Sequence, residues 1–145
     1  GIGFILNVSR ELPNVHEDSK LFEYKRLSMD DTLSDKLHYH VDDAIAFIDR
    51  AHAAQRAVLV HCQKGMSRSA AMVIAWLMHR RQMRLREAYF FVKRKRWVVS
   101  PNVSFMEQLS TMETTLFGST TVDWNDYRVN RLDEPWWPRD MQHSR

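Results

Sequence analysis

The sequence predicts an α/β domain, and three observations carry that prediction. Short β-branched and aromatic runs come early, and apolar residues at helical spacing dominate the second half. Between them, the apolar run Ala57-Val58-Leu59-Val60 ends in His61 and the only cysteine of the chain, Cys62. Arg68 follows after five intervening residues, and an apolar helical segment starts at once. A strand, a tight loop and a helix in immediate succession are the core of an α/β unit.

The elements follow in order. Phe4 to Val8 is a β-branched and aromatic run that predicts a buried strand. Glu11-Leu12-Pro13-Asn14 reads as a turn. Tyr24 to Met29 alternates as a second strand and ends at Asp30-Asp31. From about Leu37 to Gln55, Ala44, Ile45, Ile48 and Ala51 recur at helical spacing. Ala57 to Val60 is continuous and apolar, as expected of a strand buried on both faces. Ala70, Val73, Ile74, Leu77 and Met78 mark a largely buried helix, and Leu85, Ala88, Tyr89 and Val92 mark another. Pro101 suits the first turn of a last helix, with Phe105, Leu109, Met112 and Leu116 on one stripe.

The loop from Cys62 to Arg68 carries the chemistry. A strand-to-helix turn aims backbone N–H groups and a helix N-terminus at one point, which makes an anion site. A thiol placed there has its pKa lowered to roughly 3.5–7.5 and is a thiolate at neutral pH. Arg68 adds a planar, permanently charged fork that matches two phosphate oxygens. The backbone N–H groups from Gln63 through Lys64, Gly65, Met66 and Ser67 to Arg68 can cradle the remaining charge, with Gly65 permitting a backbone path that other residues resist. The loop reads as a nucleophile inside a phosphate cradle, although a lone cysteine elsewhere is usually a buried structural residue.

This loop resembles the signature of the cysteine-dependent protein phosphatases, and its surroundings resemble the dual-specificity branch. Ile5-Leu6-Asn7-Val8-Ser9, Asp31 ahead of a helix, Ser100-Pro101-Asn102, Phe105-Met106 and Gln108-Leu109 agree with that family. The resemblance runs from about Gly1 to about Leu116. It implies a central, mostly parallel sheet flanked by helices. The family has a further strand and helix before the segment matching Gly3 to Val8, so the usual first strand is missing or lies outside this sequence. It also implies hydrolysis of phosphate esters on protein Tyr and Ser/Thr through a phosphocysteine intermediate, with Cys62 as nucleophile and Arg68 as clamp. His61 matches the histidine that orients the loop and helps hold the thiolate. Ser69 matches the hydroxyl that eases departure of the sulfur; read alone, it is a helix-start serine.

The leaving oxygen needs a proton, which a nearby aspartate can deliver. The family places that acid about thirty positions before the cysteine, and Asp31 lies 31 before Cys62 (62 − 31). Asp30 is the next candidate and Asp35 is close; each could instead cap a helix or stand as a solvated charge. The thiolate and the protonated acid together imply a bell-shaped, mildly acidic pH profile. Asn102 resembles the asparagine that buttresses the phosphate loop, and as a residue after Pro101 it could equally be a polar helix start.

Other functions fit less well. Lipid-directed relatives carry lysines at the first and fourth of the five loop positions, where this chain has Gln63 and Met66; Lys64 is at the second. A non-catalytic phosphoprotein-binding module of this family would usually have lost the cysteine. A redox or arsenate-reducing enzyme would want further cysteines to pass electrons. Gly1-Ile2-Gly3 is a fragment of a dinucleotide fingerprint with no third glycine at the needed spacing. His38 and His40 lack accompanying Cys or His ligands at metal spacing. No metal and no cofactor are expected.

At 145 residues, 44% apolar and 27% charged, the chain suits one domain. The net charge of +3 does not point to nucleic acid. No apolar run approaches the roughly 18 residues that span a bilayer, so no stable membrane insertion is expected. One cysteine makes no intrachain disulfide, and a reducing, intracellular setting follows as the expectation. The expected division is a catalytic domain at 1–117 and a Trp-rich extension at 118–145, with Gly118-Ser119-Thr120-Thr121 as linker. Trp124, Trp136 and Trp137, with Pro135 and Pro138, either fold back over an apolar face or dock a partner. The run Lys93-Arg94-Lys95-Arg96 reads as a solvated face or a dock for an acidic partner. The expected partner is a phosphorylated protein, such as a protein kinase.

Overall fold

The strand β1 (Ile2–Asn7) is the centre of the sheet. It is flanked by β2 (Glu23–Arg26) and β3 (Ala57–His61), both parallel to it, in the order β2-β1-β3. The computed structural model describes residues 1–122. The strand β1 is paired along both edges and buried from Gly3 to Asn7, and Leu6 and Val8 are completely buried. Four helices follow: α1 (Val41–Ala53), α2 (Arg68–Arg80), α3 (Leu85–Lys95) and α4 (Val103–Phe117). The helix α2 packs against α1, α3 and α4, while α1 also meets β1 and β3. Phe4 and Phe47 join β1 to α1 edge to face, with ring centroids 5.5 Å apart.

The position expected for a strand buried on both faces is therefore held by β1, not by β3. Among the described residues β3 pairs on one side only, and Ala57 and Leu59 are exposed, Leu59 to 43%. A continuous apolar run records that a strand is apolar, not how many neighbours it has. The second strand is also shorter than its alternation suggests. Leu27 N–H still reaches the Asn7 carbonyl at 2.8 Å, but Met29 N–H folds back onto Leu27. Leu27 and Met29 stay buried, so the alternation persists as packing after the ladder has ended.

The helix expected over 37–55 splits into a 3-10 turn at Leu37–Tyr39 and α1. Gln108 on α4 explains the break: its carbonyl oxygen takes the Leu37 N–H at 2.7 Å, and its amide donates to the Asp35 carbonyl at 3.0 Å. The last helix starts after Pro101 because Asn102 caps it, accepting the Phe105 N–H at 2.9 Å.

Glu113, fully buried on α4, ties the end of the domain together. Its carboxylate accepts the Leu85 N–H at the start of α3, the Thr121 N–H and hydroxyl, and the Arg84 guanidinium. Burial alone would push its pKa up, but the bonds from Thr121 and Leu85 outweigh it and hold the group below its ordinary value. Residues 118–122 are thus pinned to the domain rather than free: Gly118 turns the chain in the left-handed region (φ 85°), Ser119 accepts from Arg84, and Val122 is buried in the core. Trp124, Trp136, Trp137, Pro135 and Pro138 lie outside the described residues.

Candidate active site

The run from β3 into α2 places Cys62 just beyond the strand and Arg68 on the first turn of the helix. Both side chains are buried, as are Ser67 and Ser69, whereas Gln63, Lys64 and Met66 are exposed. Gly65 adopts φ 66°, and a Cβ there would come within 3.2–3.3 Å of the Arg96 guanidinium. Both the backbone conformation and the close approach favour glycine at this position.

Burial would push the Cys62 thiol up. Against it act the Ser69 hydroxyl, 3.3 Å from the sulfur, the backbone N–H groups of Ser69 and Gly65, and the Arg68 charge. Together they outweigh desolvation, and the pKa falls below the ordinary thiol value. His61 Nδ1 lies 3.4 Å from the Cys62 carbonyl oxygen, next to the cysteine backbone.

The loop is held by Arg96 and by the backbone of Ser100. Arg96 donates to the carbonyls of Gly65 and Lys64 at 3.2 and 3.1 Å. Ser100 N–H donates to the Met66 carbonyl at 2.7 Å. Two members of the basic run at 93–96 are accordingly structural: Arg96 grips the loop, and buried Lys93 donates to the Val99 carbonyl at 2.7 Å and faces the Tyr89 ring. Their only trace in the sequence is a run of cations, which does not distinguish carbonyl-binding members from solvated ones.

Asn102 joins three elements. Its backbone N–H donates to Ser67 Oγ at 2.8 Å, and its side-chain amide donates to Asp31 Oδ1 at 2.9 Å and to the Thr32 carbonyl at 3.2 Å. The same residue thus caps α4 through Oδ1 and reaches Ser67 through its backbone N–H.

The three candidate acids differ in their partners. Asp30 is paired with Arg10, and Asp35 accepts the backbone N–H groups of Asp30 and Lys36 at 2.5 and 2.8 Å. Asp31 alone of the three lines a cavity of about 260 Å³ that Cys62, Gln63, Lys64, Met66, Ser67, Arg68 and Ser100 also line. A larger cavity, about 420 Å³, lies against the loop beside Leu59, Val73, Val92 and Val99, but neither Arg68 nor Asp31 lines it. Chemistry that needs thiol, guanidinium and acid together belongs to the smaller one. Among the described residues no three His, Cys, Asp or Glu side chains gather as a metal site requires, and no helix is long and apolar enough to cross a membrane.

Arg68 has a partner that the sequence did not mark. Its guanidinium meets the Glu11 carboxylate with two bonds, Nη1 to Oε2 at 2.8 Å and Nη2 to Oε1 at 2.5 Å, and Nη1 also donates to the Met29 carbonyl at 3.0 Å. The guanidinium holds the Glu11 carboxyl down to about 2.

A family model described as dual specificity phosphatase, catalytic domain, matches residues 1–115. Human dual specificity protein phosphatase 7 is 44% identical over 123 residues, covering 85% of this chain but 29% of that protein. Human dual specificity protein phosphatase 2 is 46% identical over 114 residues, covering 79% of this chain and 36% of that protein. The chain thus spans about a third of the length of these relatives. The crystal structure of human DUSP28 superposes with a TM-score of 0.75 at 34% identity, covering 80% of this chain and 77% of that one. With its parallel sheet, its cysteine-to-arginine loop and this similarity, the chain belongs to the dual specificity phosphatase catalytic-domain family.

Proposed function

We propose that the chain hydrolyses phosphate esters on protein tyrosine, serine and threonine through a phosphocysteine intermediate. The observation that carries this reading is that Cys62, Arg68 and Asp31 line one shared cavity. In the first step the Cys62 thiolate attacks phosphorus, a sulfur–phosphorus bond forms, and the ester oxygen leaves with a proton from Asp31. In the second step water attacks phosphorus and gives a proton to the Asp31 carboxylate. The sulfur–phosphorus bond breaks, and the Ser69 hydroxyl, 3.3 Å from the sulfur, receives the departing thiolate as a hydrogen-bond donor. The N–H groups from Gln63 to Arg68 and the Arg68 fork carry the charge spread over the phosphoryl oxygens. His61 and Asn102 hold the loop and the acid.

We take residues 1–117 as the catalytic unit and 118–145 as an extension whose first residues, 118–122, pack back onto that unit; the family match over 1–115 supports this reading. The substrate is a phosphoprotein, with a protein kinase as a candidate, in an intracellular setting that keeps the single thiol reduced. A panel of phosphotyrosine, phosphoserine and phosphothreonine peptides against inositol phospholipids tests the reading. Turnover of the peptides is expected, and a protein that turned over only the lipids would refute it.

A pH prediction follows from the groups around the sulfur. Thiolate is the reactive form, and its lowered pKa sets the rising limb of kcat/KM below the range of a free thiol. Ser69→Ala removes one of the bonds that lower the thiol pKa, so the rising limb moves to higher pH and release of the phosphocysteine slows. An unmoved limb, measured with a soluble aryl phosphate, would separate Ser69 from the thiolate.

A further inference from the structure

The loop after β1 is built so as to deliver Glu11. Asn7, fully buried at the end of the strand, donates its amide to the Leu12 carbonyl at 2.8 Å and to Asn14 Oδ1 at 3.0 Å. Its side-chain oxygen, Oδ1, accepts the Ser9 hydroxyl at 2.6 Å, and Ser9 Oγ in turn accepts the Leu12 N–H at 3.3 Å. Residues on both sides of Glu11 are thereby fixed to the sheet. The Glu11 side chain is 41% exposed, while the Arg68 side chain it meets is 6% exposed.

A guanidinium has five N–H groups. Three are engaged here: both on Nη1, by Glu11 and the Met29 carbonyl, and one on Nη2, by Glu11. The two left are Nε–H and the second Nη2–H, which lie side by side along one edge of the planar group. Nε is buried and has no hydrogen-bond partner among the described residues. A buried donor without a partner requires a physical explanation, and a bound anion is one that fits a cavity-lining arginine. Arg68 lines the 260 Å³ cavity, and Glu11 does not.

We propose that Glu11 is a positioning residue: it grips the end of the Arg68 guanidinium and presents the remaining edge, Nε–H and one Nη2–H, to two oxygens of the phosphate. This rests on the reading of the cavity as a phosphatase site. The opposite arrangement, a carboxylate seated in the phosphate's place, would put Glu11 among the residues lining that cavity. Glu11 is ionised across the working pH range, since its pKa is held at about 2, so the grip is permanent rather than a pH switch. Two oxyanion bonds from a pre-aimed fork also avoid the ordering cost of a free arginine.

Glu11→Ala and Glu11→Gln test this, the second keeping the size of the side chain while removing the charge and one acceptor. Tungstate affinity is read by calorimetry, and kcat/KM for nitrophenyl phosphate is read in parallel. In Glu11→Ala, both are expected to fall about 10- to 100-fold, the scale of a misplaced positioning group. Glu11→Gln falls in the same direction by less, and the thermal midpoint of either variant does not account for the loss. Unchanged tungstate affinity and kcat/KM in both variants would overturn the proposal, as would tighter tungstate binding. In those cases, wild-type hydrolysis of phosphopeptides leaves the proposed function standing. If the wild type hydrolyses no phosphoester while the variants still lose tungstate, the grip on Arg68 is real and the function reading is the one that fails.

Discussion

Cys62→Ser is expected to lower kcat by roughly 10⁶, the scale on which loss of a covalent nucleophile leaves only binding and electrostatics. That factor corresponds to about 8 kcal/mol of activation free energy. The hydroxyl is nearly isosteric, so the loop, its N–H groups and Arg68 keep their places. What is lost is ionisation. The groups that hold the thiol below its ordinary pKa act on a sulfur that ionises readily. The same groups cannot bring an alcohol, with its far higher pKa, into the working range. No adjacent base compensates, because the acid partner must itself be protonated. Substrate affinity is therefore expected to survive while turnover disappears, and the variant should retain phosphoproteins from an extract. Single-turnover kinetics with a phosphopeptide checks this. Turnover within tenfold of the wild type would remove Cys62 from the covalent role.

Asp31→Ala is expected to cost 10²- to 10⁴-fold in kcat with phosphoserine peptides, the usual range for a general acid, or about 3–5 kcal/mol. The loss should shrink with nitrophenyl phosphate, whose leaving group hardly needs a proton. This dependence on the leaving group separates proton transfer from mere disturbance of the loop. Equal slowing of both substrates would show that Asp31 only shapes the cavity. Asp30 supplies the internal comparison: its carboxylate is already paired with Arg10, so Asp30→Asn should not show the leaving-group signature.

The loop from Cys62 to Arg68 was legible in the sequence because its parts are contiguous. Cys62, Gly65, Arg68 and the start of α2 need only local geometry to meet, and the apolar runs on either side announce a strand and a helix. Asp31 was legible only as one of three acids at similar spacing. What separates them is partners on other segments: Arg10 for Asp30, backbone N–H groups for Asp35, the shared cavity for Asp31. Glu11 and Arg96 could not be found in this way. Glu11 meets Arg68 across 57 positions, and Arg96 meets Gly65 across 31. A charged residue in a turn or a basic run carries no mark of which distant carbonyl or cation it will meet. That β3 pairs on one side only among the described residues was hidden for a similar reason, since strand order is a property of the sheet and not of any one segment.

The bonds of Asn102 have a consequence for how the site comes into being. They span 71 positions to Asp31 and 35 to Ser67, and both ends precede Asn102 in the chain. Contacts so distant in sequence must bear the loop-closure entropy before they return any stability, and they form late in folding. A chain emerging from the ribosome as far as Arg68 already carries the thiol and the arginine. The neighbouring segment is already held by the Arg10–Asp30 pair, but Asp31 gains its own side-chain partner only when Asn102 has been made and α4 has docked. Competence therefore arrives last, as a property of the finished domain, and a nascent chain carrying an exposed thiol is not yet a working catalyst.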